Sequence, residues 1–377
     1  MPTSRSDSRV FVSAGEASGD AYAAALVLAM KARLGAKQVH FEGLGGRRSG
    51  VAGVTLIADS ARWGAIGVFQ ALAVGPRIFL SYYRLKWRLR TGTPGLFIAI
   101  DFGFGNIKLA RHAHKQGWNV LYFMPPGSWR KDRQASNLAP IADAVVTQFP
   151  WSEQILKASG INVHWFGHPI KQLVSVRAKQ VGDTGPRETL AILPGSRSHE
   201  IEANLPLLAA ALKGFDVPAE FALAPSISLE EVESKWKGLS GRSDKFTPED
   251  TVGVLLRARA GLICSGTATL EAALCRCPMV VFYEFTPAQR REAAWLRIKR
   301  PKYIALPNIL LDRLVVNEHV EPHGIDPGVI RAELEEIWQD TRDRADQIQA
   351  FEEIDSLLGA SDAIERTADL AISMLSS

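Results

Sequence analysis

A chain of 377 residues, 46% apolar and 22% charged, can bury a sizeable core without disulfides or structural metals, and its length favours two domains over one. Its net charge of +4 is too small to imply nucleic acid as a partner. Three cysteines, Cys264, Cys275 and Cys277, give neither a disulfide framework nor metal-ligand spacing and suit a reducing cytosol.

The opening MPTSRSDS has no apolar signal core. Arg9–Ala14 then reads as a strand, followed by a glycine-containing turn and a helix over Ala21–Arg33. The longest apolar run, Ala21–Met30, is too short to cross a bilayer and reads as a buried helix face. Val39–Glu42 is a second strand before the turn GLGGRRSG. Between Ser60 and Ile100 there is no acidic residue, yet Arg62, Arg77, Arg84, Lys86, Arg88 and Arg90 fall there. Within that stretch, Trp63–Arg90 is apolar, aromatic and basic at once. It suits an anionic membrane surface, or alternatively a buried helix with an exposed basic end. Leu96–Asp101 is a third strand, with a helix to about Lys115. Val120–Phe123, Ala144–Thr147 and Val163–Phe166 continue the alternation.

A polar stretch, Ala178–Glu188, reads as a linker, and the pattern restarts. Leu190–Leu193, Glu220–Leu223, Gly261–Cys264 and Met279–Phe282 form a second strand set, and the tail from Val329 is helical and charged. Strands alternating with helices imply parallel sheets covered on both faces. The fold expected is α/β, two Rossmann-like domains with a cleft between them. Residues 1–170 form the first domain, with a helix at about 355–377 returning to it, and 171–354 form the second. Ligands are expected at the carboxyl ends of the strands.

Two strand-to-helix junctions carry anion-binding chemistry. In LPGSRSHEI, the strand to Leu193 ends in Pro194, Gly195, Ser196 and Arg197. Orphan N–H groups, a glycine that permits close approach and a planar guanidinium suit a phosphate or diphosphate. The alternative is a plain junction capped by Ser196 or Ser198. In LICSGTATLEAAL, Ser265, Gly266 and Thr267 open a helix, and Glu271 sits one turn in, where a carboxylate can accept from ribose hydroxyls. Neither GEASGD nor GLGGRRSG satisfies the dinucleotide fingerprint, and there is no P-loop and no Asp-x-Asp pair. The donor phosphates are therefore expected to be held without a metal or other cofactor.

The ordered set GEASGD (Gly15–Asp20), FGHP (Phe166–Pro169), LPGSRSHEI, SGTATLEAAL with CPMVVFY (Cys277–Tyr283), and LPNIL (Leu306–Leu310) resembles the lipid-A-disaccharide synthase family. Its members are inverting glycosyltransferases of the GT-B type, and the likeness runs from about Val10 to His323. The resemblance implies transfer of diacylglucosamine from UDP-2,3-diacylglucosamine to 2,3-diacylglucosamine 1-phosphate, releasing UDP and leaving a β(1′→6) disaccharide. The alternatives are another lipid acceptor or a UDP-sugar-binding protein without turnover. Departures fall mainly on the acceptor side. The family's D-x-P-D-F-N is DFGFGN here, with Phe104 at the second acidic position. The segment Tyr122–Arg133 is shortened, Gln70 and Glu321 replace Glu and Gln, and Glu284 replaces Arg.

The resemblance places a catalytic Asp at Asp101, at the exit of the LFIAID strand, where it suits a general base; the alternative is a helix cap. Glu16 and His168 are further candidate bases, His168 also suiting a structural role beside the linker. Ser18, Asp20 and Asn106 are read as acceptor-side groups. Gly195, Ser196, Arg197, Ser265, Gly266, Thr267, Glu271, Asn308 and Glu318 are read as the UDP-sugar set. The implied setting is the cytoplasm, peripherally on the inner face of the cytoplasmic membrane. A homodimer is left open.

Overall fold

Short apolar runs that end in Gly, Ser or Asp and pass into helices make parallel strands buried on both faces. A computed structural model of the chain describes residues 8–35, 37–60, 68–101, 103–125, 138–295, 301–320 and 324–376. The side chains of Gln70 and Phe104, most of the Tyr122–Arg133 segment and Glu321 lie outside the described residues. Two compact units emerge: residues 1–172 with 358–377, and residues 173–357.

In the first unit, β1 (Ser8–Ala14), β2 (Val39–Gly45), β3 (Thr55–Asp59), β4 (Leu96–Ile100), β5 (Asn119–Phe123), β6 (Ala144–Thr147) and β7 (Val163–Trp165) form a parallel sheet ordered 3-2-1-4-5-6-7. Its helices are α1 (Ala17–Leu34), α2 (Arg47–Val51), α3 (Val68–Thr91), α4 (Gly103–Lys115) and α5 (Pro150–Ala158). α6 (Pro169–Val181) carries the chain onward, so the first residues of the expected linker are helical.

In the second unit, β8 (Thr189–Leu193), β9 (Ala219–Leu223), β10 (Lys245–Pro248), β11 (Ala258–Cys264), β12 (Met279–Phe282) and β13 (Glu318–His319) form a parallel sheet ordered 10-9-8-11-12-13. Its helices are α7 (Ser198–Ala211), α8 (Leu229–Ser240), α9 (Thr251–Arg257), α10 (Ala268–Leu274), α11 (Pro287–Trp295), α12 (Leu306–Leu311), α13 (Pro327–Trp338) and α14 (Arg342–Leu357). α15 (Ala363–Ser376) then packs along α1, where Arg33 pairs with Glu365 and Asp369.

Sequence reasoning missed β3, β10 and β13. β3 and β10 are sheet-edge strands with exposed positions, and β13 spans two residues, so none offers an apolar run of more than three residues. On α3, Leu85 and Leu89 are fully buried in the first unit's core, while Phe79, Leu80, Tyr83 and Trp87 are more than half exposed. Among the described residues, no helix is long and apolar enough to cross a membrane.

Candidate active site

In the first unit, strand order reverses between β1 and β4, the position where open α/β sheets bind ligands. Ala14 lies opposite Ile100 in the register, so GEASGD and Asp101 leave adjacent strand ends. Glu16 is exposed and stands at the N-cap of α1 in extended conformation. Ser18, two residues on, is half-buried.

Asp101 takes a left-handed backbone conformation, φ 48°, which Asp tolerates better than most residues. Three contacts pin it. Its N–H donates to the Phe123 carbonyl at 3.0 Å. Its own carbonyl accepts from Asn106 Nδ2 at 2.9 Å and from the Tyr122 hydroxyl at 3.2 Å. Burial raises the Tyr122 phenol above its usual range, and the charge of Asp101 adds to this, so the phenol stays a donor.

Three acceptor-side or catalytic candidates have their polar groups engaged within the fold. Asn106 is fully buried and its amide is spent on the scaffold. Oδ1 accepts from Ser13 Oγ at 2.6 Å, and Nδ2 lies 2.9 Å from the Ser13 carbonyl and 3.0 Å from that of Ile100. Asn106 therefore laces β1 to β4 beneath Asp101. Asp20 is also buried, and its carboxylate accepts from the N–H groups of Gly46 at 2.7 Å, Arg48 at 3.0 Å and Ser49 at 3.0 Å. It is the cap of α2, holding the GLGGRRSG turn. His168 is buried, Nδ1 accepts from the Ile170 N–H at 3.1 Å, and burial pushes the imidazole down to about 3. Such a ring is neutral near pH 7 and is a feeble base.

In the second unit, the order reverses between β8 and β11, and both anion motifs sit there: PGSR leaves β8, and SGT leaves β11. The PGSR loop is wrapped around a side chain that sequence reasoning passed over, Glu200. Its Oε2 accepts from the Ser196 and Arg197 N–H groups at 3.0 and 3.2 Å, and Oε1 accepts from Arg197 NH1 at 2.6 Å. Gly195 has φ 126°, and a Cβ there would lie 2.9 Å from Glu200 Cβ. The glycine thus admits the chain's own carboxylate, to which the Ser196 N–H is given. A Glu three residues past the N-cap is the capping-box signature, with Arg197 in the cap position in place of the expected Ser.

One turn along α7, Asn204 was also missed. It is fully buried, donates to the Pro194 carbonyl at 2.7 Å and to Cys264 Sγ at 3.4 Å, and accepts from the Glu284 N–H at 3.1 Å. One amide therefore binds the ends of β8, β11 and β12. Glu284 is ion-paired with Arg290 and accepts from the Ile325 N–H at 3.3 Å.

Asn308 and Glu318, expected to contact the donor, are turned inward. Asn308 donates to the Val316 carbonyl at 2.8 Å and to Glu318 Oε2 at 2.9 Å, and accepts from the N–H groups of Val315 and Val316 at 2.7 and 2.9 Å. Glu318 accepts from the Ile304 N–H at 3.0 Å and the Ala305 N–H at 2.8 Å. Together they brace the entry to α12. Ser265 Oγ donates to the Ile304 carbonyl at 3.0 Å, so this hydroxyl joins the same brace. Gly266 is exposed with open space beside its Cα, Thr267 and Glu271 are half-buried, and Thr267 caps α10 through its backbone.

Two parallel-sheet α/β units, each gathering its polar loops where its strand order reverses, make up the GT-B fold. Solved structures agree on the fold. MurG of Acinetobacter baumannii superposes with a TM-score of 0.55 at 14% identity, covering 97% of this chain and 99% of that one. The calicheamicin glycosyltransferase CalG4 gives 0.54 at 15%, covering 98% of each.

The family model described as lipid-A-disaccharide synthetase matches residues 10–365. The lipid-A-disaccharide synthase of Syntrophus aciditrophicus is 32% identical over 390 residues, 97% of each chain. That of Acidobacterium capsulatum is 31% identical over 389 residues, 97% of this chain and 96% of the relative. The chain belongs to the lipid-A-disaccharide synthetase family and is a glycosyltransferase.

Proposed function

We propose that Asp101 is the general base of the family's reaction, the transfer of diacylglucosamine from UDP-2,3-diacylglucosamine to 2,3-diacylglucosamine 1-phosphate. The observation that carries this is the pinning of Asp101 by three hydrogen bonds at the exit of β4, beside the strand-order reversal where open α/β sheets bind ligands. Its carboxylate takes the proton of the acceptor's 6-hydroxyl as that oxygen attacks the anomeric carbon of the donor. The bond from that carbon to the diphosphate breaks, its electron pair leaves on UDP, and the anomeric configuration inverts. Glu16 and Ser18, beside Asp101, suit hydroxyl or phosphate contacts to the acceptor.

In the second unit, Arg197 is assigned to the departing diphosphate, where a fixed cation stabilises the charge that develops. Gly266 and Thr267 border that group, and Glu271 takes the ribose hydroxyls. No metal or other cofactor is assigned a part.

The exposed face of α3 is assigned to the inner surface of the cytoplasmic membrane, which is where two acylated substrates are met. Phe79, Leu80, Tyr83 and Trp87 present apolar area, and Arg84 and Arg90 are exposed among them.

The test is mass spectrometry of the products from purified protein, UDP-2,3-diacylglucosamine and 2,3-diacylglucosamine 1-phosphate. The expected products are UDP and the β(1′→6)-linked tetraacyl-disaccharide 1-phosphate. Binding of the donor without any turnover would overturn the reading, and so would product with a different lipid acceptor alone.

A further inference from the structure

We infer that Glu200 is a positioning residue for transfer, acting through Arg197: its carboxylate sets the place from which the guanidinium meets the donor diphosphate. The inference rests on the assignment of Arg197 to that diphosphate.

The two oxygens of Glu200 have separate work. Oε2 takes the N–H groups of Ser196 and Arg197, which fixes the loop backbone. Oε1 takes Arg197 NH1 at 2.6 Å, which fixes the side chain. A cap requires only the first. Glu200 itself is held still, because it is 5% exposed on the buried face of α7 and Gly195 closes over it. Asn204, one turn on, ties the same loop at Pro194 to the ends of β11 and β12. A long, rotamer-rich Arg is thereby given one orientation before substrate arrives, which is the preorganisation that electrostatic catalysis requires.

The arrangement also carries an opposing charge. A carboxylate beside the diphosphate weakens its ground-state attraction to Arg197. Replacing Glu200 by Gln removes that charge but keeps an oxygen for the two backbone donors. Positioning therefore predicts a split: UDP binding unchanged or tighter, and kcat lower. Loss of structure alone would weaken both.

The experiment is a double-mutant cycle of Glu200→Gln and Arg197→Ala. Calorimetry gives UDP affinity, steady-state kinetics give kcat and KM, and circular dichroism gives folding. Expected are a fall of about 10²–10³ in kcat for Arg197→Ala, the range for loss of a preorganised charge contact, and about tenfold for Glu200→Gln. In the Arg197→Ala background, Glu200→Gln should then change kcat by less than about twofold. If Glu200→Gln costs the same factor in both backgrounds, Glu200 does not act through Arg197 and the inference is overturned. If Arg197→Ala is slow while Glu200→Gln is normal, the inference fails and the assignment of Arg197 stands. Normal turnover by folded Arg197→Ala overturns both. If Glu200→Gln does not fold, Glu200→Asp, which keeps the charge but shortens the reach, is taken through the same cycle and judged by the same coupling.

Discussion

Arg88, near the end of α3, donates Nε to the buried carboxylate of Glu42 on β2 at 2.8 Å. Arg9 reaches the same carboxylate, and the two guanidiniums hold Glu42 below its ordinary range although burial works the other way. The pair ties α3 to the sheet, so Arg88 is not a cation for lipid headgroups, as its place in the basic stretch suggested. Lys86 Nζ lies over the aromatic rings of its own helix, 5.7 and 5.8 Å from the ring centres of Tyr82 and Tyr83.

Changing Arg84 and Arg90 together to Ser should therefore weaken binding to anionic vesicles by about 1 kcal/mol per cation at low salt, and less as salt rises. Trp87→Ser should weaken it further by removing apolar area. Arg88→Ala should leave vesicle binding nearly unchanged and lower stability by about 1–2 kcal/mol, because Glu42 loses one of its partners. Vesicle sedimentation and thermal melts on the same variants separate the two roles. Equal vesicle loss in the Arg88 variant would count against the division.

Asp101→Asn should keep the fold and UDP binding while lowering the chemical rate by about 10²–10⁴, the usual range for a positioned acid–base group. Asn106→Ala offers a contrast. It removes donors and an acceptor shared by Ser13, Ile100 and Asp101, so stability should fall by about 2–3 kcal/mol, with the rate falling as Asp101 loses its anchor. Single-turnover rates set beside urea unfolding midpoints distinguish the two variants. Normal turnover by the Asn variant would move the base assignment to Glu16.

His168 predicts an acid sensitivity of the first unit. Its imidazole is ordinary, near 6.5, when unfolded and about 3 when folded, because burial penalises the charged ring. Between those values the unfolded chain binds a proton that the folded chain does not. Stability is full above pH 6.5 and falls as pH drops from there towards 3, by at most about 1.4 kcal/mol per pH unit. His168→Asn, which keeps an acceptor for the Ile170 N–H, should flatten that slope in hydrogen-exchange or melting measurements. An unchanged slope would show that other groups set it.

Excess EDTA should leave the transfer rate unchanged, because the reading assigns the charge of the leaving diphosphate to Arg197, with Gly266 and Thr267 beside it. A strict dependence on magnesium or manganese, restored by adding the ion back, would sink that assignment.

The sequence by itself determined the α/β class, the alternation that builds two parallel sheets, and the junctions at Asp101, Pro194–Arg197 and Ser265–Thr267. Those signals are local: a short apolar run sets a buried strand, and Gly, Ser or Asp at its end sets the turn. Only the tertiary structure decided which polar side chains are spent on the scaffold. Asp20, Asn106, Asn308 and Glu318 look like ligand groups in a motif, yet each satisfies backbone donors or acceptors brought in by the fold, as Asn106 does for Ser13 across 93 positions. Glu200 and Asn204, which the motifs did not single out, are spent in the same way on the PGSR loop and the strand ends. A buried polar group must find its partners within the fold, and no local pattern tells whether those partners are substrate or the chain's own backbone.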